Sequence, residues 1–195
     1  MSRRILLIQG HPDPAPSRLC RALADAYAAG TNAGGHEIHR IDVATIDFPL
    51  LRTKRDFEQE PPLPAIMQAQ ESLAWAEHVV ILYPLWLGAM PALLKGFLEQ
   101  VFRPGFAFSG ATNKGLWKRN LKGRSARVIV TMGMPALIYR WVFGAHSLKS
   151  LERNILRFAG FGPVKDTLIG RVEGASEARH RRWLDNMRRL GRAGR

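Results

Sequence analysis

Three short segments of this 195-residue chain combine residue types and spacings that could do chemistry. The first runs Gly10-His11-Pro12-Asp13-Pro14-Ala15-Pro16-Ser17-Arg18-Leu19. It leads from an apolar run into a helical pattern, where free backbone N–H groups and the helix dipole favour an anion such as a phosphate. The three prolines donate nothing. The donors are the amides of Ser17, Arg18 and Leu19, the Ser17 hydroxyl, the Arg18 guanidinium and His11. The same residues also fit a plain helix start capped by Ser17 and stiffened by proline. Asp13 would repel a phosphate at close range, so its side chain is expected to point outward. Neither a Gly-Lys-Ser/Thr loop nor the Gly-rich dinucleotide fingerprint is present.

The second segment is Tyr83-Pro84-Leu85-Trp86-Leu87-Gly88-Ala89-Met90-Pro91. Large apolar side chains followed by glycine suit a flat, mostly apolar ring, with backbone amides near its heteroatoms. Packing on the core or at a dimer interface is the other reading of Leu85, Trp86 and Leu87. The third segment, Thr131-Met132-Gly133-Met134-Pro135-Ala136-Leu137-Ile138-Tyr139, offers a hydroxyl and an unhindered backbone for the polar edge of such a ring. Tyr139, Trp141 and His146 follow. The first two also fit aromatic core packing, and His146 fits a residue preceding a helix capped by Ser147.

The elements around these segments alternate. The apolar run 4–8, the alternating segment 37–43, the segment 78–83, apolar throughout as inside a parallel sheet, and segments 127–132 and 164–169 read as strands. Helical periodicity follows Ser17 and recurs at 66–75, from Pro91 through Val101, at 148–159 and at 177–190. Polar, proline-marked residues 47–64 read as an excursion and residues 103–124 as a long loop. Five strands alternating with five helices predict an α/β doubly wound sheet with helices on both faces, and a single domain over residues 1–195. Ligands of such sheets sit at the carboxyl ends of the strands, where the three segments fall.

Composition narrows the class. Residues 1–100 carry 9 Lys/Arg against 11 Asp/Glu, and residues 101–195 carry 20 against 5, so the net +13 resides in the second half. That excess suits attraction of anions such as NAD(P)H, anionic lipid, nucleic acid or an acidic partner, or simply an arginine-rich solvated surface. No zinc spacing, aromatic-basic RNA motif or helix-turn-helix pattern supports nucleic acid, and none is expected as partner. One cysteine, Cys20, gives no internal disulfide and no metal spacing; it reads as a small hydrophobe in a reducing cytoplasm, and no metal site is expected. The apolar N-terminal stretch is too short for a signal peptide. Pro84 and Pro91 interrupt the longest uncharged run, so no integral membrane segment is expected.

Taken with these residues, the chain resembles the NAD(P)H:quinone oxidoreductases of the flavodoxin-like fold, of the DT-diaphorase and Kef ancillary oxidoreductase type. The resemblance rests on the first strand ending at His11 with Ser17 beyond, on Tyr83-Pro84-Leu85-Trp86 through Pro91-Ala92-Leu93-Leu94-Lys95-Gly96, on Val101-Phe102 to Phe106-Ala107-Phe108, and on Thr131 to Tyr139. It spans residues 4 to about 160 and implies a five-stranded parallel sheet of order 2-1-3-4-5.

The resemblance further implies FAD or FMN as cofactor, with NAD(P)H as hydride donor and a small quinone-like acceptor in a ping-pong cycle. His11, Ser17, Arg18 and Leu19 would hold the flavin phosphate and ribityl chain. Pro84, Leu85, Trp86 and Leu87 would lie along the ring, and Thr131, Met132 and Gly133 would face its pyrimidine end. Trp86 follows Leu85 directly where the family often has a glutamine, so ring contacts differ. Tyr139 matches the family's catalytic tyrosine. The family histidine falls by direct count on Ala145, and a one-residue adjustment assigns its role to His146. Together Tyr139 and His146 would donate hydrogen bonds to charge forming on the flavin or quinone oxygen. Arg179 resembles an arginine that meets the adenine end in FAD-binding members. Family members are generally homodimers with the site at the interface. The alternatives are a flavin-bearing regulatory subunit of a membrane transporter such as a potassium-efflux system, and a one-electron flavodoxin carrier, whose typical acidity this chain lacks.

Overall fold

The computed structural model describes residues 2–111 and 117–195. In chain order the elements are β1 (Arg4–Gln9), α1 (Leu19–Ala33), β2 (Glu37–Asp42), α2 (Lys54–Glu58), α3 (Pro64–Trp75), β3 (His78–Pro84) and α4 (Ala92–Val101). They continue with β4 (Phe108–Ala111), β5 (Trp117–Arg119), β6 (Ser125–Thr131), α5 (Ala136–Trp141), α6 (His146–Ser150), β7 (Val164–Ile169) and α7 (Glu177–Arg192). The helix begun by α6 widens to π geometry over Leu151–Arg157.

Five strands form one parallel sheet in the order β2-β1-β3-β6-β7, the expected 2-1-3-4-5 once the hairpin β4–β5 is set aside. Strand periodicity builds two cores. Leu6, Ile8, Val79, Ile81, Val128 and Val130 face Leu73, Leu94, Phe97 and Leu156, on the side of α3 and α4. Ile5, Leu7, Val80, Leu82 and Ile129 face Leu23, Tyr27 and Met187, on the side of α1 and α7. Each fully buried aliphatic side chain contributes about 1.5–3 kcal/mol relative to exposure. Central β3 is buried at all seven positions, whereas edge strand β2 is nowhere fully buried. The chain turns back between β1 and β3, which puts the switch point of the sheet at their carboxyl ends.

Two expectations change. Within residues 103–124, read as a loop, Phe108–Ala111 and Trp117–Arg119 pair antiparallel; residues 112–116 of that stretch lie outside the described residues. The hairpin rests on aromatic packing, since Phe108 meets Trp117 and Phe158 edge-on at 5.5 and 5.1 Å. The excursion at 47–64 holds α2, started by a Thr53–Asp56 capping box, and is tied down where Gln100 and Arg103 donate to the Pro49 and Glu60 carbonyls at 2.7 and 2.6 Å. α7 carries six arginines around a narrow seam of buried Met187 and Gly191. Among the described residues no helix is long and apolar enough to cross a membrane.

Cys20 is buried on α1, its Sγ 3.3 Å from Thr131 Oγ1, and burial pushes its thiol up to about 11. The thiolate is the reactive form. The native protein at pH 8 is therefore expected to stay unalkylated by iodoacetamide while the denatured chain takes one label, as read by intact mass.

Candidate functional site

The carboxyl ends of β1, β3 and β6 bring the three segments together. Leu85 N donates to Thr131 O at 2.7 Å and Gly10 N to Leu82 O at 2.7 Å, and the His11 ring meets the Trp86 ring edge-on at 5.9 Å. Cys20 and Thr131 join the first turn of α1 to the end of β6.

The first loop is organised by side chains folding back on backbone. His11 N donates to Gln9 Oε1 at 2.8 Å, Asp13 N to His11 Nδ1 at 3.0 Å, and Ala15 N to Asp13 Oδ1 at 2.8 Å. Because His11 Nδ1 accepts, its neutral ring carries its proton on Nε2. Burial, together with Arg18, holds the His11 pKa below its ordinary value against the opposing pull of Asp13. The Asp13 side chain, 35% exposed, folds along the loop. The Ala15 amide and Arg18 hold its carboxyl below the usual range, and Arg18 Nε donates to it at 2.6 Å. The guanidinium expected on a phosphate is thus engaged by Asp13.

Ser17 does not cap α1 either. The cap position is Arg18, in extended geometry, and no side chain caps the helix. Ser17 is exposed, one residue before the cap position. The amides of Leu19 and Cys20, at the first turn beside the switch point, have no intrahelical acceptor.

The second loop is a tight two-residue turn. Trp86 and Ala89 exchange backbone bonds at 2.8 and 2.9 Å, with Leu87 and Gly88 both at positive φ (47° and 76°). A non-glycine residue there is strained, and the turn holds Leu87 fully out of the protein beside half-exposed Trp86. Pro84 is buried and Leu85 half-buried beneath them.

In the third loop the polar groups are taken up internally more than expected. Thr131 shares its hydroxyl with Cys20, while Met132 donates to the Ile169 carbonyl and accepts from Val172. Gly133 is the exposed backbone, and an added Cβ there would lie 3.1 Å from a Glu173 carboxylate oxygen. Tyr139 is 2% exposed; its hydroxyl lies 3.1 Å from Ser147 Oγ and accepts from Leu148 N at 3.3 Å. The hydroxyl is engaged within the α5–α6 turn. Ala145, in left-handed geometry at φ 49°, caps α6 and turns Ser147 and Leu148 back onto Tyr139. His146, not preceding but opening α6, is exposed and is not bonded to Tyr139 among the described residues. Arg179 donates to the Gly170 carbonyl at 3.2 Å and lies 5.2 Å over the Trp183 ring, beside a cavity of about 400 Å³ that also borders Pro135–Leu137.

Sequence reasoning missed two residues here. Gln9 is 97% buried at the end of β1, and its Nε2 has no partner among the described residues. A lone amide closing an apolar strand was the available signal. Glu173, over Gly133, had no signal because it reaches the site from the loop after β7.

Removing the Tyr139 hydroxyl would strand a buried amide and a serine. Tyr139→Phe is expected to lower stability by about 1–2 kcal/mol, and Ser147→Ala in the same background to add little further. Denaturant titration of the two single variants and the double variant checks this.

A family model described as flavodoxin-like fold matches residues 3–190. The NAD(P)H dehydrogenase (quinone) 1 of Rattus norvegicus is 26% identical over 192 residues, covering 86% of this chain and 68% of that protein. The FMN-dependent NADH:quinone oxidoreductase of Ruegeria pomeroyi is 27% identical over 128 residues, 58% of this chain and 62% of that protein. The chain thus spans about two thirds of these relatives' lengths. The solved NAD(P)H:quinone oxidoreductase from Methanothermobacter marburgensis shares the fold at a TM-score of 0.83, covering 100% of both chains at 20% identity. With nearly its whole length matched and its sheet in the same order, the chain belongs to the flavodoxin-like fold family.

Proposed function

We propose that the chain binds a flavin across the carboxyl ends of β1, β3 and β6 and passes hydride from NAD(P)H to a quinone-like acceptor. The observation that carries this reading is the uncapped first turn of α1 at the switch point, beside a strained turn that holds Trp86 and Leu87 outward. Quinone oxidoreductase names among the relatives, one of them FMN-dependent, support it.

In this reading the Leu19 and Cys20 amides and His11 Nε2–H hold the phosphate. Arg18 shapes the loop through Asp13 rather than meeting the ligand. Pro84 to Leu87 line the ring, with Gly133 at its polar edge. The bound flavin supplies the hydride chemistry, and the protein orients it and excludes water. His146 remains the exposed donor for charge on the acceptor, while Tyr139 positions the α5–α6 turn that carries it. Engagement of Arg179 with Gly170 and Trp183 favours FMN over FAD.

Leu137, Ile138, Trp141, Val142 and Phe143 are all exposed on and after α5, next to the third loop. A contiguous apolar surface of this kind marks an interaction site, and a second copy of the chain that closes the ring site fits it. Steady-state turnover of NADH or NADPH with menadione tests the reading. Parallel double-reciprocal lines support a ping-pong cycle; intersecting lines, or no flavin-dependent turnover, contradict it.

A further inference from the structure

At the opposite end of the sheet, a cavity of about 320 Å³ opens among Arg3, His78, Ser125, Arg127, Lys165 and Arg195. The register explains the gathering. His78 pairs with Ser125, and Arg127 pairs with Val80 on one side and Lys165 on the other. Successive strand residues alternate faces, so His78 and Arg127, beside Val80, share the face covered by α1 and α7. Strands of six or seven residues put this cavity roughly 20 Å from the three loops.

Two of its polar side chains are buried and incompletely bonded. Arg127 is 8% exposed; its Nη1 donates to Thr167 Oγ1 at 2.8 Å, while its Nε has no partner among the described residues. His78 is 3% exposed, with Nδ1 2.8 Å from Ser125 Oγ and Nε2 without a partner among the described residues. Arg3 donates to the Gly194 carbonyl at 2.8 Å. The neighbouring acids Glu77 and Asp166 are paired with Arg4 and Arg140. Arg3, Arg127, Lys165 and Arg195 therefore border the cavity with no side-chain carboxylate bridged to them among the described residues, and a buried guanidinium or ring N–H left unbonded is costly. Burial, with Arg3, Arg127 and Lys165 nearby, pulls the His78 pKa down to about 4. The neutral ring can accept the Ser125 hydroxyl at Nδ1 and donate from Nε2.

We propose that this cavity binds a phosphate-bearing anion, held by the Arg127 guanidinium and the Lys165 and Arg195 head groups, with His78 in the wall beside it. A tetrahedral dianion accepts bonds from several directions at once, matching basic groups that converge from three strands and from Arg195 after α7. The volume admits inorganic phosphate or the phosphoryl end of a small metabolite such as a sugar phosphate.

The test follows the His78 ring resonances of the purified protein by NMR during titration with inorganic phosphate, with ribose 5-phosphate, and with potassium chloride at matched ionic strength. Saturable shifts with phosphate but not chloride are expected. They should weaken about tenfold or more in Lys165→Gln/Arg195→Gln, whose side chains lie at the surface. They should persist in Leu19→Pro, which alters the other end of the sheet. A ribose 5-phosphate affinity about tenfold above that of phosphate would name esters as the ligand, and equal affinity free phosphate. Shifts that match chloride, that survive the double variant unchanged, or that vanish in Leu19→Pro would overturn the proposal.

Discussion

Gly191→Ala is expected to lower stability by about 3 kcal/mol or more, a fall of roughly 6–12 °C in Tm for a chain of this size. A Cβ at Gly191 would lie 2.1 Å from the Tyr27 carbonyl oxygen and 2.8 Å from Thr31 N. Its counterpart Gly30 on α1 faces the Arg188 carbonyl oxygen at 2.1 Å. Both obstacles are backbone, so no rotamer change relieves them and the helices must separate. That would loosen Met187, fully buried against β1, and the partly buried Trp183 and Leu184 beside it. Arg189→Ala, on the exposed side of the same helix, should change stability by no more than about 0.5 kcal/mol. A Gly191→Ala protein melting with the wild type would contradict the close packing of α1 and α7.

The second large effect is on ligand binding. Leu19 is the first residue of α1, the one helical position where proline is well tolerated, and Arg18 before it is already extended at φ −72°, ψ 132°. Leu19→Pro removes one amide donor and little else of the fold. Loss of one charge-assisted hydrogen bond, about 1.5–3 kcal/mol, predicts flavin binding weaker by about 10- to 100-fold. Leu19→Ala trims the same half-buried side chain and keeps the amide, so it should bind nearly as the wild type does. Equal flavin affinity of the two variants, by fluorescence titration, would remove the α1 terminus from the site.

The sheet was legible because its signals are local. The apolar runs of β1 and β3 are buried strands for the reason their composition suggests, and the switch point follows from alternation alone. The β4–β5 hairpin was not, because Ser109, Gly110, Lys118 and Arg119 carry little strand character and Phe108 is held by Phe158 from a distant helix. The site divides in the same way. Its three loops could be located from strand ends, but the partners within them depend on turn geometry. Arg18 has a choice between ligand and Asp13, settled by the Asp13 turn onto Ala15. The fate of the Tyr139 hydroxyl hinges on left-handed Ala145, a conformation alanine does not announce.

The central claim is that this chain holds a flavin at the carboxyl ends of β1, β3 and β6, and it is tested most directly by adding FMN, and separately FAD, to flavin-free protein. The account predicts saturable binding of one flavin per chain, tighter for FMN. The bound flavin should lose its visible colour on NADH or NADPH addition and regain it with a quinone. A folded protein that leaves both flavins free in solution would contradict it.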